Sequence, residues 1–224
     1  MLGDQRSLLD QITVHHGPQK LLARFFLIAD QDARDKGVTL RLRTDFDRMH
    51  QIRLRHCEDP LMLAPNFDPA QSNLRIDQAF WIEGLDPNGQ TVLTHAARLF
   101  DWQHTNLKQE VEALRVHYHE PAPHIAAGES IQMTAPTGTR ISRRTAYVGA
   151  MWVRPDYRRR GLTRIIPRIS RAYAYTRWNT DFTWGFMEPH LHEGGASRAY
   201  GRYTVEEGLR LNLAMHQPFD AMLL

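Results

Sequence analysis

Hydrophobic and polar positions along this chain repeat with two different periods, and each period predicts a different kind of element. A helical period runs from about residue 18 to residue 36, and its apolar face comprises Leu21, Leu22, Phe25, Phe26, Ile28 and Ala29. Gly37 then favours a helix end. Residues 38–43 alternate with period two, as a half-buried strand does. We therefore expect a helix and then a strand near the start of the chain.

The next part of the chain predicts a short helix, a loop and a hairpin. Thr44 or Asp45 can cap a helix that runs to about His56, and the prolines that follow are typical of a loop. Residues 79–85 and 91–100 have the pattern of two strands. They are joined by a tight turn with the sequence Asp86-Pro87-Asn88-Gly89.

Residues 101–144 separate this hairpin from the second half of the chain. Their first part predicts a helix from about residue 106 to 118, with an apolar face of Leu107, Val111, Leu114 and Tyr118. Residues 120–140 contain three prolines and predict a loop with a short strand at about 130–134.

The best-defined unit is a strand at 145–153, a turn, and an amphipathic helix from Leu162 to about Arg177. The apolar face of that helix comprises Leu162, Ile165, Ile166, Ile169, Ala172 and Tyr173. A strand, a short helix and two closing strands are then expected, in that order, at residues 181–187, 196–203, 209–214 and 219–223.

Composition favours a folded, soluble protein of one domain. The chain has 224 residues, of which 42% are hydrophobic and 24% charged, and this excludes disordered and fibrous classes. A single cysteine, Cys57, excludes an internal disulfide framework. No apolar run approaches the roughly 18 residues of a membrane span, and residues 1–6 do not resemble a signal peptide. We expect a cytoplasmic protein without membrane contact.

Positive charge is concentrated in one segment. Residues 140–177 contain eleven arginines and one acid, Asp156, a balance of +10 in a chain whose net charge is +3. Genomic base composition explains an arginine excess, since the chain has only three lysines, but it does not explain this placement. A field of this kind attracts phosphate groups, on a nucleic acid, a membrane surface or a nucleotide cofactor.

The turn between the strand and the helix of this segment has the chemistry of a phosphate site. The first amides of a helix have no intrahelical partner, and the helix dipole adds partial positive charge there. Gly161 lets the backbone approach an oxygen closely, and four arginines surround it, namely Arg158, Arg159, Arg160 and Arg164. The glycine pattern of a Walker loop or a dinucleotide fingerprint is not present.

Residues 153–162, Val-Arg-Pro-Asp-Tyr-Arg-Arg-Arg-Gly-Leu, resemble the acyl-coenzyme A segment of the GNAT N-acetyltransferase superfamily. In that superfamily a strand leads through V-x-P and an aromatic residue into R/Q-x-x-G-x-G/A and a helix. Arg158 stands at the R/Q position and Gly161 at the first glycine. Thr163 stands at the second small position and departs from the usual Gly or Ala. The resemblance is strongest over residues 147–176.

This resemblance implies an α/β fold whose mixed sheet splays open between the strands at 147–153 and 181–187. Acyl-coenzyme A, expected to be acetyl-coenzyme A, would lie in the gap. Its pantetheine arm is expected to pair with the backbone of Met151, Trp152 and Val153. Its pyrophosphate is expected on the amides of residues 159–164, so that the turn contributes Arg158, Arg159, Arg160, Gly161, Leu162, Thr163 and Arg164.

The family also has a short helix with an A-x-x-x-Y pattern after the second strand, and residues 196–200, Ala-Ser-Arg-Ala-Tyr, supply it. By this pattern Tyr200 is the acid that protonates the leaving thiolate, with Tyr203 as a competitor one turn on. The base that takes the amine proton is open among Glu188, Glu83 and His190. Glu188 is favoured because it follows the second splayed strand.

The implied function is an acyltransferase that moves an acetyl group from coenzyme A to an amine by direct attack in a ternary complex. One domain is expected over residues 1–224, with an N-terminal helical extension at 1–37 and an insertion at 101–144. The amine acceptor, a small molecule or a peptide, is not readable from the sequence, because these added segments have no counterpart in the motif. Homodimers are common in the superfamily, so a homodimer is the candidate assembly.

The basic segment also allows a second function, and the histidines bear on whether a metal ion is bound. A non-catalytic regulatory protein that binds phosphate groups or nucleic acid through the basic segment at 140–177 is the alternative, although no helix-turn-helix or base-stacking signature occurs. Twelve histidines are present, but no HExxH or comparable ligand spacing, so no metal is expected. Four arginines around the second predicted helix are expected on a solvated face, namely Arg41, Arg43, Arg53 and Arg55.

Overall fold

The computed structural model describes residues 7–56, 65–201, 204–214 and 217–224. Its helices are α1 (Leu8–Gln11), α2 (Gln19–Asp35), α3 (Phe46–His56), α4 (Leu107–Glu112), α5 (Ala122–Ala126), α6 (Ile166–Trp178), α7 (Pro189–Glu193) and α8 (Ala196–Tyr200). Its strands are β1 (Thr39–Arg43), β2 (Ala79–Leu85), β3 (Thr91–Trp102), β4 (Ser130–Met133), β5 (Arg143–Val153), β6 (Phe182–Trp184), β7 (Phe186–Met187), β8 (Glu206–Asn212) and β9 (Phe219–Leu223).

The strands form two sheets. One has the order β1-β2-β3-β5-β6 and the other the order β4-β8-β9-β7. Strands β5 and β6 are parallel, whereas the neighbours β1–β2, β2–β3 and β3–β5 are antiparallel. The expected α/β fold with a mixed sheet is therefore confirmed.

Alternating residues of the first sheet bury its two faces against different layers. Phe80 and Ile82 pack with α2 and α6, whereas Trp81 between them packs with α3 and with the second sheet. We call these the α6 face and the α3 face. The motif predicted to bind phosphate therefore lies on the opposite face of the sheet from α3.

Helix α2 confirms the predicted N-terminal helix but buries only part of the predicted apolar face. Phe26, Ala29 and Ala33 are buried, whereas Leu21 is 64% exposed and Ile28 51% exposed. The buried residues follow the spacing i, i+3, i+7, which is one narrow stripe of a helix. The predicted apolar face was too wide, and its outer part faces solvent. Gly37 ends this segment with φ of 76°, as predicted.

The segment at 101–144, the expected insertion, adds a strand to the second sheet. The helix predicted over 106–118 is shorter: α4 ends at Glu112, and Leu114 takes a positive φ of 58°. The side chain of Asn106 caps its start by accepting a hydrogen bond from the amide of Gln109 at 3.1 Å. Strand β4 confirms the predicted short strand and pairs antiparallel with β8.

The single strand predicted over 181–187 is two strands. Residues of β6 pair with β5 in the first sheet, and residues of β7 pair with β9 in the second. Gly185 lies between them and exchanges both backbone hydrogen bonds with Leu224, at 3.1 and 3.0 Å. The chain therefore leaves one sheet for the other at a single residue.

Candidate active site

The first sheet opens at the end of β6. Only the first part of β5 pairs with β6, through Thr145↔Phe182, Ala146↔Thr183 and Tyr147↔Trp184. Beyond Tyr147, β5 continues to Val153 along β3, while β7 turns away to β9. Within the described residues no strand pairs with the β7-facing edge of residues 148–153, which we call the open edge. The predicted splay between these two strands is confirmed.

A β-bulge bends β5 along the open edge. Gly149 lies opposite Ala96 and Trp152 opposite Thr94, so β5 has one residue more than β3 over this stretch. Ala150 takes a positive φ of 54°, and its carbonyl accepts a hydrogen bond from the Thr94 hydroxyl at 3.2 Å. The extra residue reverses the alternation of side chains between the two faces. The sequence pattern carried no signal for it.

The three residues expected to pair with the pantetheine arm follow this bulge. Trp152 is buried on the α3 face, where its ring stacks on His56 with centroids 5.3 Å apart. Met151 and Val153 pack on the α6 face and are half-buried. Their side chains are thus held by the core, and their backbone runs along the open edge.

The turn after β5 has a backbone geometry that suits an anion. Helix α6, which follows the turn, begins later than predicted. Gly161 takes a φ of 79°, and a 3-10 turn over Leu162–Arg164 follows. Helix α6 starts at Ile166, not Leu162, because Pro167 fits only in a first turn. The amides of Arg164 and Ile165 donate within the turn, each at 3.0 Å, which leaves the amides before them as candidates for an anion.

The side chains of the turn divide into two groups. Arg160 donates to the carbonyls of Lys36 and Asp156, at 3.4 and 3.0 Å, and lies 3.9 Å from the ring centroid of Tyr157. Leu162 is buried in the core of the α6 face. These two predicted site residues therefore have structural side chains.

The second group is available to a ligand. Arg159 and Arg164 are exposed, and Thr163 is half-buried. Arg158 is exposed and donates through Nε to the carbonyl of Val153 at 3.1 Å. Arg160 is exposed as well, but two of its guanidinium nitrogens donate to backbone carbonyls, so the other three arginines of the turn are the better candidates for a ligand.

Two further arginines, which the motif did not single out, lie on α6 beside the end of α8. A Cβ built on Gly201, directly after α8, would lie 3.6 Å from Nε of Arg168 and 3.3 Å from Nη2 of Arg171. Both arginines lie on α6 at a spacing of three, which places them on one side of the helix. That spacing was visible in the sequence, but the nearness of α8 was not.

Tyr200, the predicted acid, is the last residue of α8 and is half-buried. Helix α8 packs against the 3-10 turn at 162–164, so the helix that carries Tyr200 lies beside the predicted phosphate site. Glu188, the preferred base, follows β7 and precedes α7. It is half-buried, and its carboxylate lies 3.3 Å from Nδ1 of the exposed His190. Tyr203 and Cys57 lie outside the described residues.

Glu83, the second candidate base, is a structural carboxylate. It is fully buried and accepts hydrogen bonds from Arg43 at 2.8 Å, Arg48 at 2.7 Å and the Thr91 hydroxyl at 2.7 Å. Burial raises the pKa of Glu83, but these three donors outweigh burial and hold the pKa below its usual value. A carboxylate held in this way is a poor proton acceptor.

The arginines around α3 differ from the predicted solvated face. Arg53 is 3% exposed, and Arg43 binds the buried Glu83. Arg55 is exposed and lines a cleft of about 370 Å³ on the α3 face, together with Arg48, His56, Thr91 and Arg154. The expectation was wrong for Arg53 because α3 packs flat on the sheet and turns this side chain inward.

In the part of the chain that the structure describes, no three His, Cys, Asp or Glu side chains group closely enough to hold a metal ion. Over the same residues no helix combines the length and the apolar character needed to cross a membrane.

Comparison with solved structures finds N-acetyltransferases. NAA60 from Arabidopsis thaliana, in complex with acetyl-CoA, is 15% identical with a TM-score of 0.42, over 83% of this chain and 96% of that one. A GCN5-related N-acetyltransferase from Ralstonia eutropha is 17% identical with a TM-score of 0.42, over 75% and 95%. A predicted acetyltransferase from Clostridium acetobutylicum with acetyl-CoA is 17% identical with a TM-score of 0.46, over 80% and 99%.

No family model matches the sequence, and no curated protein matches it. With TM-scores below 0.5, the likeness to these solved structures carries no conclusion about the activity of this chain.

Proposed function

We propose that this chain is an N-acetyltransferase that moves an acetyl group from acetyl-coenzyme A to an amine in a ternary complex. The observation that carries the proposal is the open edge of β5 with its bulge, which leads directly into the Gly161 turn. An unpaired strand edge offers amides and carbonyls to an extended ligand with peptide-like groups. The turn beside it offers amides and arginines to phosphates.

The residues present fit acetyl-coenzyme A in order along the chain. Met151, Trp152 and Val153 would hold the pantetheine arm through their backbone. The amides of residues 159–163 would hold the pyrophosphate, with the side chains of Arg158, Arg159 and Arg164 around it. When bound, the cosubstrate supplies an activated thioester carbonyl.

The transfer requires one bond to form and one to break. The amine nitrogen attacks the thioester carbonyl carbon, the C–N bond forms, the C–S bond breaks, and its electron pair leaves with the sulfur. The attacking nitrogen gives up a proton, and the thiolate takes one. Tyr200 is the proposed donor to the thiolate. Glu188 is the proposed acceptor of the amine proton, directly or through water.

Nucleic-acid binding is not favoured by the placement of the arginines. Arg154 pairs with Asp86 at 3.1 Å and with Asp156 at 2.7 Å. Arg143 and Arg144 begin β5, whereas the turn follows its other end. The segment with a balance of +10 is thus spread over separate surfaces and does not form one basic strip.

Binding of acetyl-coenzyme A tests the proposal. A ligand that binds only the folded state raises the melting temperature with its concentration. We expect a saturable rise with acetyl-coenzyme A and release of free thiol when an amine is added. The absence of any rise at millimolar acetyl-coenzyme A would overturn the proposal, and salt-sensitive binding of DNA in its place would favour the alternative.

A further inference from the structure

Tyr147 brings a hydroxyl group to the bulge on the α3 face. It is the last β5 residue that pairs with β6, and its ring packs between Phe67 at 5.4 Å and Trp184 at 4.8 Å. A Cβ built on Gly149 would meet the Tyr147 hydroxyl oxygen at 2.8 Å. Gly149 is half-buried and precedes Ala150, so the hydroxyl lies where the closed core meets the open edge.

Buried polar groups without hydrogen-bond partners lie in and beside the aromatic cluster that contains Tyr147. Asn66 is fully buried and approaches Tyr147 closely enough to oppose the rise in pKa that burial causes, yet neither amide atom makes a hydrogen bond of good geometry. Nε1 of Trp184 and Nδ1 of His117 also lack partners. The His117 ring stacks on Phe186, the first residue of β7, with ring centroids 6.2 Å apart.

Such groups are rare in folded proteins, because a buried donor or acceptor without a partner costs free energy. Three side chains with this property, Asn66, His117 and Trp184, meet around Tyr147 and Phe186. They come from a loop, the insertion and β6, so no single local sequence pattern explains them. All three lie near the point where the pairing of β5 with β6 ends, which we call the apex of the opening. Their common place there indicates a site for a polar ligand group.

The charges around Tyr147 are positive. Arg98 lies directly across from it on β3, and Arg53 of α3 is near enough to lower its pKa. The Arg53 guanidinium is buried, whereas Arg98 is half-buried and burial lowers its pKa to about 10. The buried carboxylates of this face are engaged: Glu83 with Arg43 and Arg48, Glu110 with Arg115, and Glu129 with Tyr118 and His124. This environment favours a neutral amine over an ammonium ion.

We propose that the Tyr147 hydroxyl and the Asn66 amide hold the acceptor amine at the bulge, on the face opposite α6, and that the acceptor is a monoamine and not a polyamine. This rests on the proposed acetyl transfer. The cosubstrate's phosphates are assigned to the turn at the start of α6, so acceptor and cosubstrate would meet at the bulge from opposite faces. The nearby guanidinium groups assist loss of the amine proton and repel any second ammonium group.

The variant Tyr147→Phe removes only the hydroxyl. We expect kcat/KM for the amine to fall about tenfold, the value of one lost hydrogen bond, mainly through a higher KM. Affinity for acetyl-coenzyme A should stay unchanged. The matched control is Tyr173→Phe, which removes the hydroxyl of a buried tyrosine packed on Phe80 on the α6 face. Equal kinetics for the two variants would overturn the assignment of Tyr147.

A double-mutant cycle with Gly149→Ala tests the position of the hydroxyl independently. The added methyl group would displace the Tyr147 hydroxyl, so Gly149→Ala should lower kcat/KM for the amine in the wild-type background. With Tyr147→Phe already present the same change should cost less, because the hydroxyl contact at 2.8 Å is gone and only the contacts with two ring carbons, at 3.0 and 3.1 Å, remain. Additive effects would show that the hydroxyl does not act at the bulge.

Butylamine and putrescine test the acceptor class, since they share a four-carbon chain and differ by one ammonium group. We expect kcat/KM at least tenfold higher for butylamine. A preference for putrescine overturns the monoamine assignment. Transfer to neither amine, with acetyl-coenzyme A still bound, overturns the acceptor site and leaves the proposed cosubstrate site standing. Failure to bind acetyl-coenzyme A overturns the proposed function itself.

Discussion

Gly185 lies directly against the carbonyl oxygen of Val148: a Cβ built on Gly185 would stand 2.7 Å from that oxygen. This is the point at which the two sheets part, and the crowding atom belongs to the backbone. Gly185→Ala must therefore shift β5 or β7. We expect a loss of about 1–3 kcal/mol in the free energy of unfolding and a smaller melting-temperature rise with acetyl-coenzyme A.

Urea denaturation and thermal shift measure both effects. Gly194→Ala is the matched control, since Gly194 has a φ of −67° and a Cβ there would come no closer than 3.3 Å to its nearest neighbour. If Gly185→Ala leaves stability and cosubstrate binding equal to those of the control, the close approach at the apex is not required.

The division of the turn arginines predicts a ranking of cosubstrate affinities. Arg159→Ala and Arg164→Ala should each raise the dissociation constant of acetyl-coenzyme A about tenfold, because exposed guanidinium groups can donate to phosphate. Arg160→Ala should change it less and lower stability instead, because Arg160 ties the turn to Lys36. Calorimetric titration and denaturation check the ranking, which a larger binding defect in Arg160→Ala would reverse.

Tyr200→Phe should lower kcat about a hundredfold if its hydroxyl protonates the leaving thiolate, and should leave the affinity for acetyl-coenzyme A nearly unchanged. Steady-state kinetics and binding titration separate the two quantities. Tyr175→Phe, a partly exposed tyrosine on α6, is the control. Unchanged turnover in Tyr200→Phe would remove Tyr200 from this role.

Glu83→Gln separates a structural carboxylate from a catalytic base. The change leaves Arg43 and Arg48 without the charge they bind, so stability should fall by about 3–5 kcal/mol. The pH dependence of kcat should keep its shape. The pKa of Glu83 is held below its usual value, so the carboxylate carries no proton near neutral pH and does not titrate there. Glu207→Gln, an exposed glutamate, is the control. Loss of the rising limb of the pH profile in a stable Glu83→Gln variant would restore Glu83 as the base.

We expect the buried side chain of His95 to lower the free energy of unfolding in mild acid. Nδ1 of its buried side chain lies 2.7 Å from the Ser170 hydroxyl, and burial lowers its pKa to about 3. An unfolded histidine titrates near pH 6.5, so below that pH the unfolded chain takes up a proton that the folded chain refuses. Stability should fall by about 1.4 kcal/mol per pH unit from this residue as pH drops from 6.5 to 5.

His117 adds a similar dependence, because burial lowers its pKa to about 4. Urea denaturation across this pH range should show a shallower slope for His95→Gln and an unchanged slope for His104→Gln, whose side chain is exposed. Equal slopes for both variants would mean that His95 is protonated in the folded protein.

The local elements and the cosubstrate motif were predictable because their causes lie within a few residues. Gly37 and Gly89 both take the positive φ that their places in the sequence indicated, and Asp45 caps α3 through the amide of Arg48 at 3.1 Å. The same holds for the strand, turn and helix around Gly161. The start of α6 was misplaced by four residues, because Pro167 allows a helix to begin at Ile166 and favours a 3-10 turn before it.

The burial of charged residues was not predictable, because it depends on what packs above them. Arg53 and Glu83 have the sequence context of solvated residues. The structure buries both where α3 packs on the first sheet. The exposure of Leu21 and Ile28 is the opposite case. In each case the side chain's surroundings come from elements distant in the chain.

By itself the sequence determined most of the local elements, since these follow from periodicity and from neighbouring residues. Its turn motif carried the resemblance that implied the mixed α/β fold and the phosphate-binding chemistry proposed for the turn. Only the tertiary structure decided where the sheet opens and what faces the opening. The break at Gly185, the bulge at Ala150 and the meeting of Asn66, His117 and Tyr147 each join segments far apart in the chain. Long-range packing sets such contacts, and no local pattern encodes them.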